Sequence, residues 1–171
     1  MTPDSRADGW RRLGVVIAVV LVLDQVVKAI IVGSIEPGER VEVLPFLDLV
    51  YVRNEGVAFG FLGDGAKSTV LLITGAALVF VFVWFLRNPT RPWSWLAIGL
   101  LAGGAIGNLI DRVSRDAVVD YIDLPAWPSF NVADIAITAG AAILVLAAFA
   151  TEPEPEEEDE EEVPPEAERA P

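Results

Sequence analysis

Long apolar runs alternate with short polar connections along most of the chain. Four runs approach the ~20 residues that a helix needs to cross the hydrocarbon of a bilayer: residues 13–32, 69–86, 95–110 and 132–150. The pattern predicts an integral membrane protein, mainly α, built as a bundle of four transmembrane helices. The third run is rich in glycine, which favours close helix packing.

Two polar connections carry patterns typical of β-structure. Residues 42–62, EVLPFLDLVYVRNEGVAFGFL, alternate apolar and polar positions and contain an Asn-Glu-Gly turn. We expect a small antiparallel sheet there, on the outer face between helices 1 and 2. The apolar residues of its last part (Val57, Ala58, Phe59, Phe61, Leu62) are expected to cover a cleft near the lipid. The stretch VVDYIDL, around Asp120, predicts a further short extended segment.

The charge is concentrated at one end of the chain. The formal net charge is −13, and residues 152–171 hold eleven acidic side chains against one arginine. So acidic and proline-rich a segment cannot bury a core. The sequence therefore predicts three parts: an N-terminal cytoplasmic segment (1–12), a membrane domain (13–150) and a disordered acidic cytoplasmic tail (151–171).

Basic residues indicate how the helices are oriented. Arg6, Arg11 and Arg12 precede the first run, and Arg87 and Arg91 lie in the short connection between the second and third runs. Basic residues near helix ends favour the cytoplasmic side. Both termini are therefore expected in the cytoplasm, with the two longer connections outside.

This orientation brings the polar residues of three apolar runs to one depth, near the outer surface. Charged groups in membrane spans are costly and usually functional. The set comprises Asp24, Lys28, Asn108, Asp111, Arg112, Asn131 and Asp134.

The residue inventory limits the chemistry of such a site. The chain has no His and no Cys, which excludes histidine bases, cysteine nucleophiles and Cys/His metal centres. Two neighbouring carboxylates tend to share a proton, so that one can accept the proton of a water molecule while the other polarises a carbonyl. Asp120 can reach Asp134 through the outer connection. We therefore consider metal-free and cofactor-free hydrolysis by an aspartate pair.

Structural roles also fit these residues. Asn131 can cap the fourth helix. Asp24 and Lys28 are spaced to pair on one helix face. Asp111 can satisfy Arg112 at a helix end, while Asp116 and Asp123 fit solvated loop charges. The chemistry alone leaves a structural role open for Asp120 and Asp134 as well.

Two other function classes fit parts of the pattern. Buried acidic residues also mark proton- or ion-coupled transporters, but here the polar residues cluster on one side and do not cross the membrane. A membrane scaffold acting through its acidic tail would leave that cluster unexplained.

Five short blocks, in order, carry a resemblance to a known family. They are DQVVK (24–28), NEGVAFGFL (54–62), GNLIDR (107–112), VVDYI (118–122) and FNVAD (130–134). With them, residues 13–150 resemble lipoprotein signal peptidase, or signal peptidase II. The family is a set of aspartic endopeptidases of the bacterial inner membrane that cleave diacylglyceryl-modified prolipoproteins just before the lipidated cysteine.

The resemblance implies roles for particular residues. Asp120 and Asp134 match the catalytic pair. A second set matches positions that bind the substrate or the antibiotic globomycin, or that support the site: Asn54, Gly56, Asn108, Arg112, Asn131, Asp111, Asp24 and Lys28. The implied partners are lipid-modified prolipoproteins and membrane lipids, without nucleic acid, and the expected state is a monomer with its active site near the outer leaflet. Tyr121 stands where the family usually has Phe.

Overall fold

A computed structural model describes residues 3–56, 66–87 and 93–149. These residues form four helices: α1 (Pro3–Ser34), α2 (Ala66–Arg87), α3 (Ser94–Arg115) and α4 (Val132–Phe149). The first three predicted apolar runs each lie within one helix, and α4 covers the fourth run as far as the described residues extend. The helical conformation extends further than the apolar runs, because α1 already begins at Pro3 and α3 continues to Arg115.

The helices differ in their capacity to cross a membrane. Ala7–Ser34 and Ser94–Arg115 are long and apolar enough to do so, while Leu71–Arg87 and Val132–Ala147 are shorter apolar helices. One side of α1 carries a stripe of apolar side chains that are more than half exposed: Val15, Val19, Val22, Val26 and Ile30. Such a stripe is unfavourable in water but is compatible with lipid as the surrounding solvent.

Helix α3 packs against each of the other three helices, and its glycines permit close approach. A Cβ added at Gly99 would lie 2.7 Å from the Cβ of Val16, and one added at Gly103 would lie 2.8 Å from the Cβ of Val20. Both contacts are with α1. On the side facing α4, a Cβ at Gly104 would lie 2.4 Å from the carbonyl oxygen of Ala133. The predicted packing role of these glycines is therefore confirmed.

Gly104→Ala is expected to push α3 and α4 apart, because the added methyl would overlap a backbone oxygen that cannot rotate away. Overpacking of this kind costs about 1–3 kcal/mol. The thermal midpoint in detergent, followed by tryptophan fluorescence, should fall by several degrees. Gly75→Ala is the matched control, because nothing lies within 4 Å of a Cβ at Gly75 in α2. Equal midpoints for the two variants would contradict close α3–α4 packing at Gly104.

The strands form one antiparallel sheet in the order β1-β2-β3-β4. They are β1 (Arg40–Leu44), β2 (Leu47–Asn54), β3 (Val118–Leu124) and β4 (Trp127–Phe130). The small antiparallel sheet predicted between helices 1 and 2 is present as β1 and β2, and the connection between α3 and α4 adds two further strands to it. The alternating VVDYIDL stretch is a strand that pairs directly with β2. The predicted cover by residues 57–62 lies outside the described residues.

The Asn-Glu-Gly sequence ends β2 in a turn, as predicted, where the backbone N–H of Gly56 donates to Asn54 Oδ1 at 2.9 Å. The hairpin between β1 and β2 turns earlier, between Leu44 and Leu47, at Pro45 and Phe46. Gly56 has a φ of 79°, which glycine adopts without a steric penalty.

The sheet packs over the C-terminal end of α1. Ile31 of α1 and Ile35, directly after its end, form a buried apolar cluster with Val119 and Tyr121 of β3. Because successive side chains of a strand point to opposite faces, this packing directs Asp120 away from Val119 and Tyr121. The ends of α1 and α3 and the start of α4 meet the sheet here, which gives the polar residues a common location.

Candidate active site

A buried lysine lies at the centre of the polar residues. Lys28 Nζ is 2.9 Å from Asp24 Oδ2, 2.8 Å from Asp111 Oδ2 and 2.9 Å from Asn108 Oδ1. The side chains of Lys28, Asp24 and Asp111 are fully buried. An ammonium group has three N–H donors and no acceptor, so each donor has one partner. The predicted pairing of Asp24 with Lys28 is confirmed, and the ammonium fills the space between two carboxylates.

Further hydrogen bonds to these carboxylates connect the lysine to other elements. Asp111 Oδ1 accepts a hydrogen bond from Arg115 at 2.5 Å, and Asp111 Oδ2 accepts one from the backbone N–H of Val119 in β3 at 3.2 Å. Asp24 Oδ1 accepts one from the backbone N–H of Ala133 in α4 at 3.1 Å. Asp24, Lys28, Asp111 and Arg115 together carry no net charge. We call these four side chains the ion cluster.

Asn131 and Asp134 cap α4 reciprocally. Asn131 Oδ1 accepts from the backbone N–H of Asp134 at 3.0 Å, and Asp134 Oδ2 accepts from the backbone N–H of Asn131 at 3.2 Å. This is the geometry of a capping box, formed here by Asn and Asp. The predicted cap by Asn131 is confirmed. A negative charge in the first turn of a helix is also favoured by the helix dipole, which helps to explain Asp134 at this position.

Asp120 lies beside this cap, on β3, and is only 2% exposed. Its Oδ1 accepts from Asn131 Nδ2 at 2.7 Å, and its Oδ2 accepts from Asn54 Nδ2 at 2.9 Å. On the other side, Asp134 Oδ1 accepts from Asn108 Nδ2 at 2.8 Å. The two carboxylates are therefore held by three asparagines, and Asn131 touches both.

Burial raises the pKa of Asp120 to about 6, because the charged carboxylate loses water. The hydrogen bond from Asn54 acts in the opposite direction, and the nearby negative charge of Asp134 raises the pKa again. Asp120 is thus protonated over a wider pH range than a free aspartate. Electrostatic repulsion from Asp134 is the interaction expected of a pair that shares a proton.

The structure brings most of the predicted site residues together. Asp24, Lys28, Asn54, Asn108, Asp111, Asp120, Asn131 and Asp134 are linked by the hydrogen bonds and ion pairs given above. Two others lie at its edge. Arg112 donates from Nη1 to the carbonyl oxygen of Asn108 at 3.4 Å, and Gly56 reaches the site only through the Asn54 side chain. In the described ranges, no group of three acidic side chains is arranged to hold a metal ion.

Two structural alternatives from the sequence are wrong. Asp111 does not satisfy Arg112: its partners are Lys28 and Arg115. Asp123 is not a solvated loop charge, because it accepts a hydrogen bond from Ser129 at 2.7 Å and pairs with Arg40. The hydrogen bond from Ser129 makes the largest contribution to lowering the pKa of Asp123, and the pairing with Arg40 lowers it further.

Sequence reasoning missed three contributors to the site. Gln25 Nε2 donates to Asp24 Oδ2 at 3.0 Å and to the carbonyl oxygen of Gly107 at 3.3 Å. A Cβ at Gly107 would lie 2.6 Å from Asp24 Oδ2. The hydroxyl of Tyr121 accepts from the backbone N–H of Val132 at 3.2 Å, a contact that Phe could not make. Gln25, as a polar residue in an apolar run beside Asp24, carried the clearest signal.

The fold and the site define a helical membrane-type protein whose carboxylates and asparagines gather where helix ends meet a small sheet. Residues 16–150 match the family model described as signal peptidase (SPase) II. The chain therefore belongs to the signal peptidase II family.

Individual relatives agree with this assignment. The lipoprotein signal peptidase of Shewanella halifaxensis is 38% identical over 157 residues, covering 87% of this chain and 92% of that protein. The one from Syntrophotalea carbinolica is 42% identical over 146 residues, covering 81% and 91%. A solved bacterial membrane enzyme structure, determined in meso at 1.9 Å, superposes with a TM-score of 0.72 at 33% identity, covering 82% of this chain and 94% of that one.

Proposed function

We propose that this protein is an aspartic endopeptidase that removes signal peptides from diacylglyceryl-modified prolipoproteins by cleaving just before the lipidated cysteine. The observation that carries the proposal is the placement of Asp120 and Asp134 on the two sides of one asparagine, Asn131. Membership of the signal peptidase II family supplies the substrate class. The pair supplies a way to activate water in a chain that lacks His and Cys.

We infer different tasks for the two carboxylates. Asp120 is the more deeply buried, and its raised pKa makes it the carboxyl that holds the shared proton. Asp134 is half-buried at the start of α4, where its two oxygens accept from Asn108 Nδ2 and from the backbone N–H of Asn131. Asp134 then accepts a proton from the attacking water, while protonated Asp120 donates to the carbonyl oxygen of the scissile bond. Hydrogen bonds from asparagine side chains hold both carboxylates in their orientation, so the two side chains need little rearrangement for catalysis.

This assignment predicts the pH dependence of cleavage. Above a pH of about 6 the free enzyme loses the proton on Asp120, so kcat/KM is expected to decline as the pH rises through that value. A bound peptide excludes water from the site and raises the pKa further, so kcat should decline only at higher pH. Initial rates measured across the range, with folding monitored by tryptophan fluorescence, check this. A kcat/KM that stays constant from acid to strongly alkaline pH would contradict a shared proton.

We propose that all four helices cross the bacterial inner membrane, with both termini in the cytoplasm and the sheet at the outer face as a cradle for the substrate. The exposed apolar stripe of α1 supports contact with lipid. The basic residues around the first run and in the connection between α2 and α3 support the orientation. A site at the outer surface can receive a substrate that is anchored in lipid on one side of the scissile bond and by its signal helix on the other.

The proposal is tested with the purified full chain in detergent and a diacylglyceryl-modified prolipoprotein. Cleavage should persist in EDTA, because the aspartate pair activates water without a metal ion. Loss of activity in EDTA that is restored by adding a metal would reject the metal-free mechanism.

A further inference from the structure

The ion cluster contacts the proposed catalytic pair through one side chain, Asn108. Its amide oxygen faces Lys28 Nζ at 2.9 Å, and its amide nitrogen donates to Asp134 Oδ1 at 2.8 Å. The oxygen and nitrogen of an asparagine are nearly the same size, so the amide can turn over within the same space. Only its partners decide which end faces which neighbour.

Lys28 removes this freedom. Its ammonium can only donate, and it is completely buried between two carboxylates. A reversed Asn108 would direct its own N–H groups at the ammonium and leave buried donors without partners, which is costly. Asn131 also donates to Asn108 Oδ1, at 3.2 Å, and its own amide is held in place because its Oδ1 accepts from the backbone N–H of Asp134. Both neighbours favour the same orientation of Asn108, and the charged lysine, at the shorter distance of 2.9 Å, is the stronger of the two.

From these contacts we infer that Lys28 is a positioning residue for catalysis: by holding Asn108 in one orientation, it keeps Asp134 Oδ1 an acceptor through the whole reaction. The inference rests on the proposed function. When Asp134 takes up a proton from water, a free Asn108 would gain by reversing and accepting that proton. With Asn108 held, the proton is confined to Oδ2, and the carboxyl can pass it on to the leaving amine from that oxygen.

The ion cluster allows this role to be separated from folding. Lys28→Met alone would leave two buried carboxylates with only Arg115 near them, so the lysine is removed together with one negative charge. The comparison is Lys28→Met/Asp111→Asn against Asp111→Asn alone. Because Lys28 is buried and acts through Asn108, kcat should fall about 10- to 100-fold, as for the loss of a hydrogen bond to a charged group, while KM stays unchanged. Tryptophan melting curves confirm that both variants are folded.

The decisive comparison introduces Lys28→Met, again with Asp111→Asn in both variants, into an Asn108→Ala background. If Lys28 acts through Asn108, its removal there should lower kcat no further. A full additional fall in kcat would overturn the inference, because a structural role of the lysine does not depend on Asn108. If wild type does not cleave the lipidated substrate at all, the proposed function fails instead, so the two failures are distinguishable.

Two conservative variants carry the test if the Met variant does not fold. In the Asp111→Asn background, Lys28→Arg keeps a side chain that only donates, and most of kcat should be retained. Lys28→Gln offers an amide that can donate or accept, and kcat should fall as expected for Met. Equal kcat values for the Arg and Gln variants would contradict orientation by a donor.

Discussion

Asp120→Asn and Asp134→Asn are each expected to lower kcat by ~10³-fold or more, because each removes one half of the proton transfer that activates water. The change replaces one oxygen by an NH2 group of similar size, so packing is preserved. Each new amide must turn its NH2 group toward an N–H donor that the carboxylate accepts from, which costs about 1–3 kcal/mol, so the thermal midpoint is measured for both variants. For Asp120→Asn this loss should be smaller above pH 6, because burial opposes the ionised form of Asp120 and weakens the wild-type fold as the pH rises to about 6.

The control for this pair is Asp116→Asn, which removes an exposed carboxylate from the same connection. Asp116 ends α3 with a φ of 62°, a conformation that Asn also adopts readily. The cleavage rate of Asp116→Asn should stay within about twofold of wild type, since surface changes usually have small effects. Asp111→Asn is a useful further comparison. If it abolishes cleavage while Asp120→Asn does not, Asp120 is not a member of the pair.

Lys28→Met alone should cause the largest loss of stability. It leaves the carboxyl groups of Asp24 and Asp111 fully buried without the ammonium between them. Breaking a buried ion pair by removing one partner typically costs about 3–5 kcal/mol. The thermal midpoint in detergent should fall sharply, or the protein should fail to purify as a monodisperse species. Adding Asp111→Asn should recover part of the loss, because it removes one of two buried carboxylates that would otherwise have only Arg115 as a cationic partner.

Arg11→Met provides the matched control on the same helix. Arg11 pairs with Asp8 at 3.3 Å, but the two side chains are 75% and 52% exposed. Exposed pairs contribute only about 0–1 kcal/mol, so the midpoint should barely change. Equal midpoints for Lys28→Met and Arg11→Met would contradict a buried ion cluster that joins α1 and α3.

Local patterns predicted the helices and part of the site. The apolar runs set the positions of α1 to α4, and the four-residue spacing of Asp24 and Lys28 was enough to predict their pairing. Asn131 directly before an apolar run predicted its cap. These features depend on residues close together in the chain, where periodicity and side-chain reach decide the outcome.

Long-range contacts were not accessible in the same way. No local pattern shows that β3 lies beside β2, so the sequence predicted extended segments in both connections but not their union in one four-stranded sheet. Nor did the sequence show which cations pair with Asp111, since the adjacent Arg112 was the simplest candidate. Helix geometry excludes Arg112, which is one residue away and points elsewhere, and favours Arg115, which is one turn along on the same face.

The most direct test of the account is the site and lipid dependence of cleavage. Purified protein would be given one prolipoprotein in two forms, with and without the diacylglyceryl group, and the products identified by mass spectrometry. The account predicts a single cut just before the lipidated cysteine, absent from the unmodified precursor and abolished by Asp120→Asn. An intact lipidated substrate, or equal cleavage of the two forms at other bonds, would contradict it.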